Sequence, residues 1–132
     1  MSRATEVVLS PLTLLTGAQA TLGRGQLLVL SLGAGLYEEL LFRVLLVGGM
    51  LALGSMLLPG RRGLVGAAAV LGSALLFAAF HYLGALGDEW SLSSFVFRFL
   101  GGLAFSLIYA LRGFGIVAWT HALYDVFLLT LL

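Results

Sequence analysis

The chain has 132 residues, 61% of them hydrophobic and 10% charged, with a mean hydropathy of +1.10. Apolar runs of roughly 20 residues exclude an ordinary soluble domain and describe an integral membrane protein built as one compact domain. A net charge of +1 leaves no nucleic-acid footprint, and the lack of cysteine excludes disulfides, thiolate metal sites and a cysteine nucleophile.

In chain order, the first apolar run, residues 7–22, carries Pro11 and is followed by Arg24 without a convincing cleavage site. It reads as a short N-terminal helix, spanning or lying at the interface, and not as a signal peptide. Residues 26–58 make a run of 33 residues, about 50 Å as one straight helix against a hydrocarbon core of about 30 Å. Such a helix has to tilt or break, and Gly48-Gly49 or Gly54 is the expected place. After the turn at residues 59–63, a second span is expected over 64–86, with small residues at its start that let its backbone approach a neighbour. Asp88-Glu89-Trp90 is a loop. A third span, 92–111, contains Arg98 and the close-packing pair Gly101-Gly102, and Arg112-Gly113 turns the chain into a fourth span, 114–132. The expected fold is all-α: a polytopic transmembrane helical bundle of four core spans plus the short N-terminal helix. It is a single domain over 1–132 with a core at about 26–132, multi-pass in the cell membrane.

Charged groups at bilayer depth cost several kcal/mol unless paired or hydrated, so the polar residues within the spans need partners or a task. They are Glu38, Glu39 and Arg43 on the first long helix, His81 on the second, Arg98 on the third, and His121 and Asp125 on the fourth. Glu39 and Arg43 are four residues apart with the acid first, the favourable order for an intrahelical pair, whereas Glu38 points about 100° away and is left free. Phe77 and His81 share the four-residue spacing, as do His121 and Asp125. Arg98 is expected to anchor its span at the interface, or to hold a substrate carboxylate or a lipid.

Depth gives a second constraint. If the face where the 26–58 helix begins is side A and the opposite face side B, Glu38 lies about 18 Å from side A, His81 about 8 Å, His121 about 16 Å and Asp125 about 10 Å. A polar cavity opening toward side A reconciles all four with water.

The set Glu38-Glu39-x-x-x-Arg43, Phe77-x-x-x-His81 and His121-x-x-x-Asp125, in that order on successive hydrophobic helices, resembles the CPBP (CAAX protease and bacteriocin-processing) family of intramembrane glutamic endopeptidases. That family includes the type II CAAX prenyl proteases, and the resemblance covers about residues 30 to 127. It implies a polytopic helical protease that cleaves a membrane-associated protein or peptide near its C-terminus. Carried over by motif, Glu38 and His81 activate a water while His121 and Asp125 bind the oxyanion, with Glu39, Arg43 and Phe77 in support. The last motif ends in Asp where the prenyl proteases resemble one another in Asn.

These residue types suit the chemistry. A carboxylate in a water-poor cavity takes a proton from water at neutral pH, and an imidazole passes it to the leaving amine. An ionised Asp125 would repel an oxyanion, so it is expected either to be protonated or to orient His121 through a ring nitrogen. No cofactor is expected on this reading, although Glu38, His81 and His121 also compose a His₂Glu zinc set with an open fourth position. The expected partners are the lipid bilayer and the C-terminal peptide of a substrate. The rival readings are a catalytically inactive family member acting as scaffold or immunity protein, and a small proton channel or transporter.

Orientation follows from arginine. With 7–22 counted as a span, Arg3, Arg61, Arg62 and Arg112 fall on side B, and Arg24 and Arg98 on side A with Asp88 and Glu89. The positive-inside bias then puts side B in the cytoplasm and opens the cavity to the exterior. That placement suits a sorting role like that of the CPBP relatives called myxosortases, which the resemblance implies cut C-terminal anchor tails of exported proteins.

Overall fold

A computed structural model of the chain describes residues 23–84 and 87–131. Its elements are α1 (Arg24–Glu39), a π-helical segment (Leu40–Val47), α2 (Gly48–Leu57), α3 (Arg62–Phe80) and α4 (Leu92–Leu131), and there is no strand among the described residues. Three stretches, Arg24–Leu57, Arg62–Phe80 and Leu92–Leu131, are long and apolar enough to cross a membrane. Lipid offers backbone groups no hydrogen bonds, so helices, which satisfy their own, are the spanning form open to such a chain. The all-helical class is therefore as expected. The N-terminal helix expected over 7–22 lies outside the described residues.

The first long stretch departs from expectation. It does not break at Gly48-Gly49 or Gly54, where Gly48 keeps helical angles (φ −59°, ψ −44°); the irregularity is the π segment directly after the Glu pair. There Gly48 N–H reaches back five residues to the Arg43 carbonyl, the hydrogen-bond step of a π-helix. Two neighbours engage this segment: Ser73 Oγ–H donates to the Phe42 carbonyl at 3.0 Å, and Arg43 Nη2–H donates to the Gly102 carbonyl at 2.9 Å. Gly54 has a different task. A Cβ there would stand 2.5 Å from Val65 Cγ1, so its hydrogen lets α2 lie against α3.

Helix α4 runs for 40 residues but is not straight, because Gly113 takes φ 80°, ψ −179° inside it. The rings of Phe105 and His121 stack at 4.5 Å, whereas sixteen residues of unbroken helix would hold them about 24 Å apart. The chain thus doubles back at Gly113, in a region of φ that favours glycine, as the Arg112-Gly113 turn leads one to expect.

Close backbone approach joins the pieces. Gly35 of α1 meets the part of α4 after the turn, where a Cβ would lie 2.7 Å from Ala122 Cα, and Gly102 meets Ala74 of α3 at 3.1 Å by the same measure. In lipid such contacts replace the hydrophobic drive between helices. The apolar core is correspondingly small-residue-rich: Ala69, Ala74, Ala78, Ala118 and Ala122 are buried with Phe42, Phe77 and Val117. Large side chains such as Leu45, Leu57, Leu107 and Trp119 face outward, as a lipid-bathed surface allows.

Gly35→Ala should lower stability by about 1 to 3 kcal/mol, since backbone, not a flexible side chain, receives the new methyl. Gly33→Ala, with nothing within 4 Å of its Cβ, is the matched control. Unfolding of both proteins in detergent should separate them, and equal stability would mean that Gly35 does not set the α1–α4 spacing.

Candidate active site

The polar residues gather where the last turn of α1, the π segment, the end of α3 and the second half of α4 meet. Glu39 and Arg43 are fully buried, and Arg43 Nε stands 3.1 Å from Glu39 Oε2, the i,i+4 pair that the spacing predicts. The other oxygen of Glu39 was not foreseen in any role. Oε1 accepts a hydrogen bond from His121 Nδ1 at 2.7 Å, which joins α1 to α4 across 82 residues of sequence.

His121 is thereby aimed. Its Nε2 faces Glu38 Oε2 at 3.6 Å and Asp125 Oδ1 at 3.7 Å, both too long for hydrogen bonds. Glu38 does point away from the Arg43 pair, as its place on the helix requires, and what it points toward is His121. The side chains of Glu38 and Asp125 keep 23% and 28% exposure against 6% for His121, so the two carboxylates open on the surface of the bundle while the imidazole lies behind them. Of the two roles left open for Asp125, orienting a ring nitrogen does not match this geometry, because the hydrogen-bonded nitrogen belongs to Glu39.

Aromatic rings wall the cluster. Phe105 stacks on His121 with ring planes 20° apart, and the Arg43 guanidinium lies 4.9 Å from the Phe77 centroid and 5.6 Å from that of Phe105. Phe77 stands between the imidazoles, 4.9 Å from His81 and 6.0 Å from His121 between centroids. His81 follows α3 directly, and its Nδ1 lies 2.8 Å from the Phe77 carbonyl. Since a carbonyl only accepts, Nδ1 carries the hydrogen and a neutral His81 offers the Nε2 lone pair, the form a base needs. Among the described residues no group of three or more His, Cys, Asp or Glu is arranged to hold a metal ion.

This arrangement stands within the match to a known family. The model of the type II CAAX prenyl endopeptidase Rce1-like family covers residues 21–127. The chain belongs to that family. It is a CPBP family of proteases, in agreement with the resemblance carried by the three motifs. No curated protein and no solved structure matches the chain.

Around this Rce1-like core, Arg98 has an internal partner that its sequence position did not reveal. Only 7% exposed, it pairs with Asp88 and lies with its guanidinium 5.2 Å from the centroid of the Tyr82 ring, while Tyr82 O–H donates to Ser94 Oγ at 2.8 Å. Asp88 N–H in turn donates to the His81 carbonyl at 2.9 Å. The four residues fasten the loop after α3 onto the start of α4 and so fix the backbone that carries His81. The nearest sequence signal was an acid and an arginine ten residues apart across a loop, which no helical spacing rule connects.

Arg43→Ala should leave Glu39 as a buried acid without its cation and cost about 3 to 5 kcal/mol. Arg43→Lys should recover part of that loss, because an ammonium cannot span Glu39 and the Gly102 carbonyl as the planar fork does. Denaturant unfolding in detergent and steady-state abundance in cells measure both; an Arg43→Ala protein as stable as the parent would refute the pairing.

Proposed function

We propose that the protein is an intramembrane endopeptidase that cuts a membrane-associated protein or peptide near its C-terminus. The observation that carries this reading is the convergence of Glu38, Asp125 and His121 Nε2 within 4 Å, one phenyl ring away from His81, in a chain of a protease family. The two halves of α4 serve as separate spans on this reading and, with Arg24–Leu57 and Arg62–Phe80, give four core spans.

Glu38 is the general base. Its carboxylate takes a proton from water, the hydroxide adds to the scissile carbonyl, and His81, with Nε2 unprotonated, helps draw the proton and deliver it to the leaving amine. His121 Nε2 and Asp125 border the space where the oxyanion forms. Preorganised donors there are worth several kcal/mol because they need no rearrangement at the moment of reaction. A proton channel or a scaffold has no need of a base, an imidazole and an oxyanion site in this order, and the family match favours the protease.

Glu38→Gln and His81→Ala should each reduce cleavage at least about a hundredfold while leaving membrane levels of the protein unchanged. Substrates are found by comparing C-terminal processing of membrane-associated proteins in cells with and without the gene. The Glu38→Gln protein is then tested on the one that changes. Full cleavage by that variant would exclude Glu38 as the base.

Side A is the exterior face on this reading. Arg61, Arg62 and Arg112 are exposed at side B against Arg24 at side A, and Arg98 is neutralised by Asp88. The cluster then meets exported proteins and cuts their C-terminal anchor tails, a sorting role of the myxosortase kind. A reporter fused after Leu132 should be active outside the cytoplasm and silent within it. The opposite pattern turns the site inward and gives it a cytoplasmic, prenyl-protease-like substrate.

A further inference from the structure

We infer that Glu39 is a positioning residue for His121: its carboxylate fixes the protonated nitrogen at Nδ1 and, with Glu38 and Asp125, holds the ring as an imidazolium whose Nε2–H meets the oxyanion. The inference rests on the proposed protease reading for what His121 does, but not for how the ring is held.

A carboxylate can only accept, so the 2.7 Å contact puts a hydrogen on Nδ1. A neutral ring would then present a lone pair at Nε2, directed at Glu38 Oε2 and Asp125 Oδ1. That arrangement sets three acceptors against one another and leaves nothing to donate to an oxyanion. A second ring proton removes the conflict, because Nε2–H becomes a donor facing two carboxylates at distances that leave it uncommitted.

The charges around the ring favour this state. From α1 the ring faces Glu38 and Glu39; from its own helix it faces Asp125; Arg43 of the π segment reaches it only through Glu39, whose charge it balances; and His81 of α3 lies beyond Phe77. The first half of α4 contributes the Phe105 ring face, a surface that accepts a stacked cation. With Glu39 balanced by Arg43, the imidazolium sits among two further acids and no unpaired cation. The arrangement also accounts for Asp125. Beside an imidazolium its charge is compensated, and it need not be protonated to be tolerated near an oxyanion.

The experiment is nitrogen-15 NMR of the full chain in detergent micelles, labelled at histidine. The chain has only two histidines, so His81→Ala assigns the pair. At neutral pH His121 should show both nitrogens protonated, and in Glu39→Gln, which keeps an accepting oxygen but loses the charge, it should become neutral. A neutral His121 in the wild-type protein overturns the inference without reference to any variant, and so does an imidazolium that Glu39→Gln leaves unchanged. With a substrate in hand, Glu39→Gln should lower kcat at least about tenfold at unchanged KM. It should also shift the alkaline limb of the rate profile toward lower pH, because the imidazolium then loses its proton sooner; an unmoved limb counts against the inference. A protein that shows the imidazolium yet cleaves nothing would refute the protease reading alone.

Discussion

A carboxylate that uses both its oxygens, in a place water does not reach, ties this bundle together. Glu39 gives Oε2 to Arg43 and Oε1 to His121, and Arg43 carries on to the Gly102 carbonyl between the rings of Phe77 and Phe105. One chain of contacts thus runs from α1 through the π segment to α3 and both halves of α4. Buried ions are costly, and removing one partner leaves the other exposed to the full desolvation penalty. The helices are therefore held in one relative arrangement by the need to keep three polar groups together, on top of the contacts between small residues.

Much of this was legible in the sequence, for reasons that differ from residue to residue. Helical spans follow from apolar run length, and the Glu39–Arg43 pair and the divergence of Glu38 follow from 100° per residue, which needs no knowledge of the fold. The turn at Gly113 was marked by its own dipeptide. What stayed hidden depended on distant partners. Glycine marks where a helix can break, not where it does; the irregularity falls instead at Leu40–Val47, where Ser73 and Gly102, 31 and 59 residues away from their partners, take up backbone and guanidinium hydrogen bonds. The bond from Glu39 to His121 and the stacking of Phe105 likewise exist only once α4 has doubled back.

The end of the bundle that carries His81 has the marks of a membrane surface. Tyr82, Trp90 and Phe95 form an aromatic group with centroids 5.1 to 6.2 Å apart, and Trp90 is 65% exposed beside the Asp88–Arg98 pair. Amphipathic rings of this kind settle at headgroup depth.

The π segment also governs how the chain can vary in length. A π-helical stretch holds more residues per turn than an α-helix, so it behaves as an inserted residue absorbed without a loop. Loss of one residue from Leu40–Val47 would let the stretch relax to α-helix while the helix on either side stays nearly in phase. Flank contacts such as Gly54 against Val65 would then be kept, while the segment's own bond from Ser73 to the Phe42 carbonyl would be lost. In this part of the chain a single-codon deletion can be absorbed, whereas the same deletion within α1 or α2 rotates all that follows in the helix by about 100°.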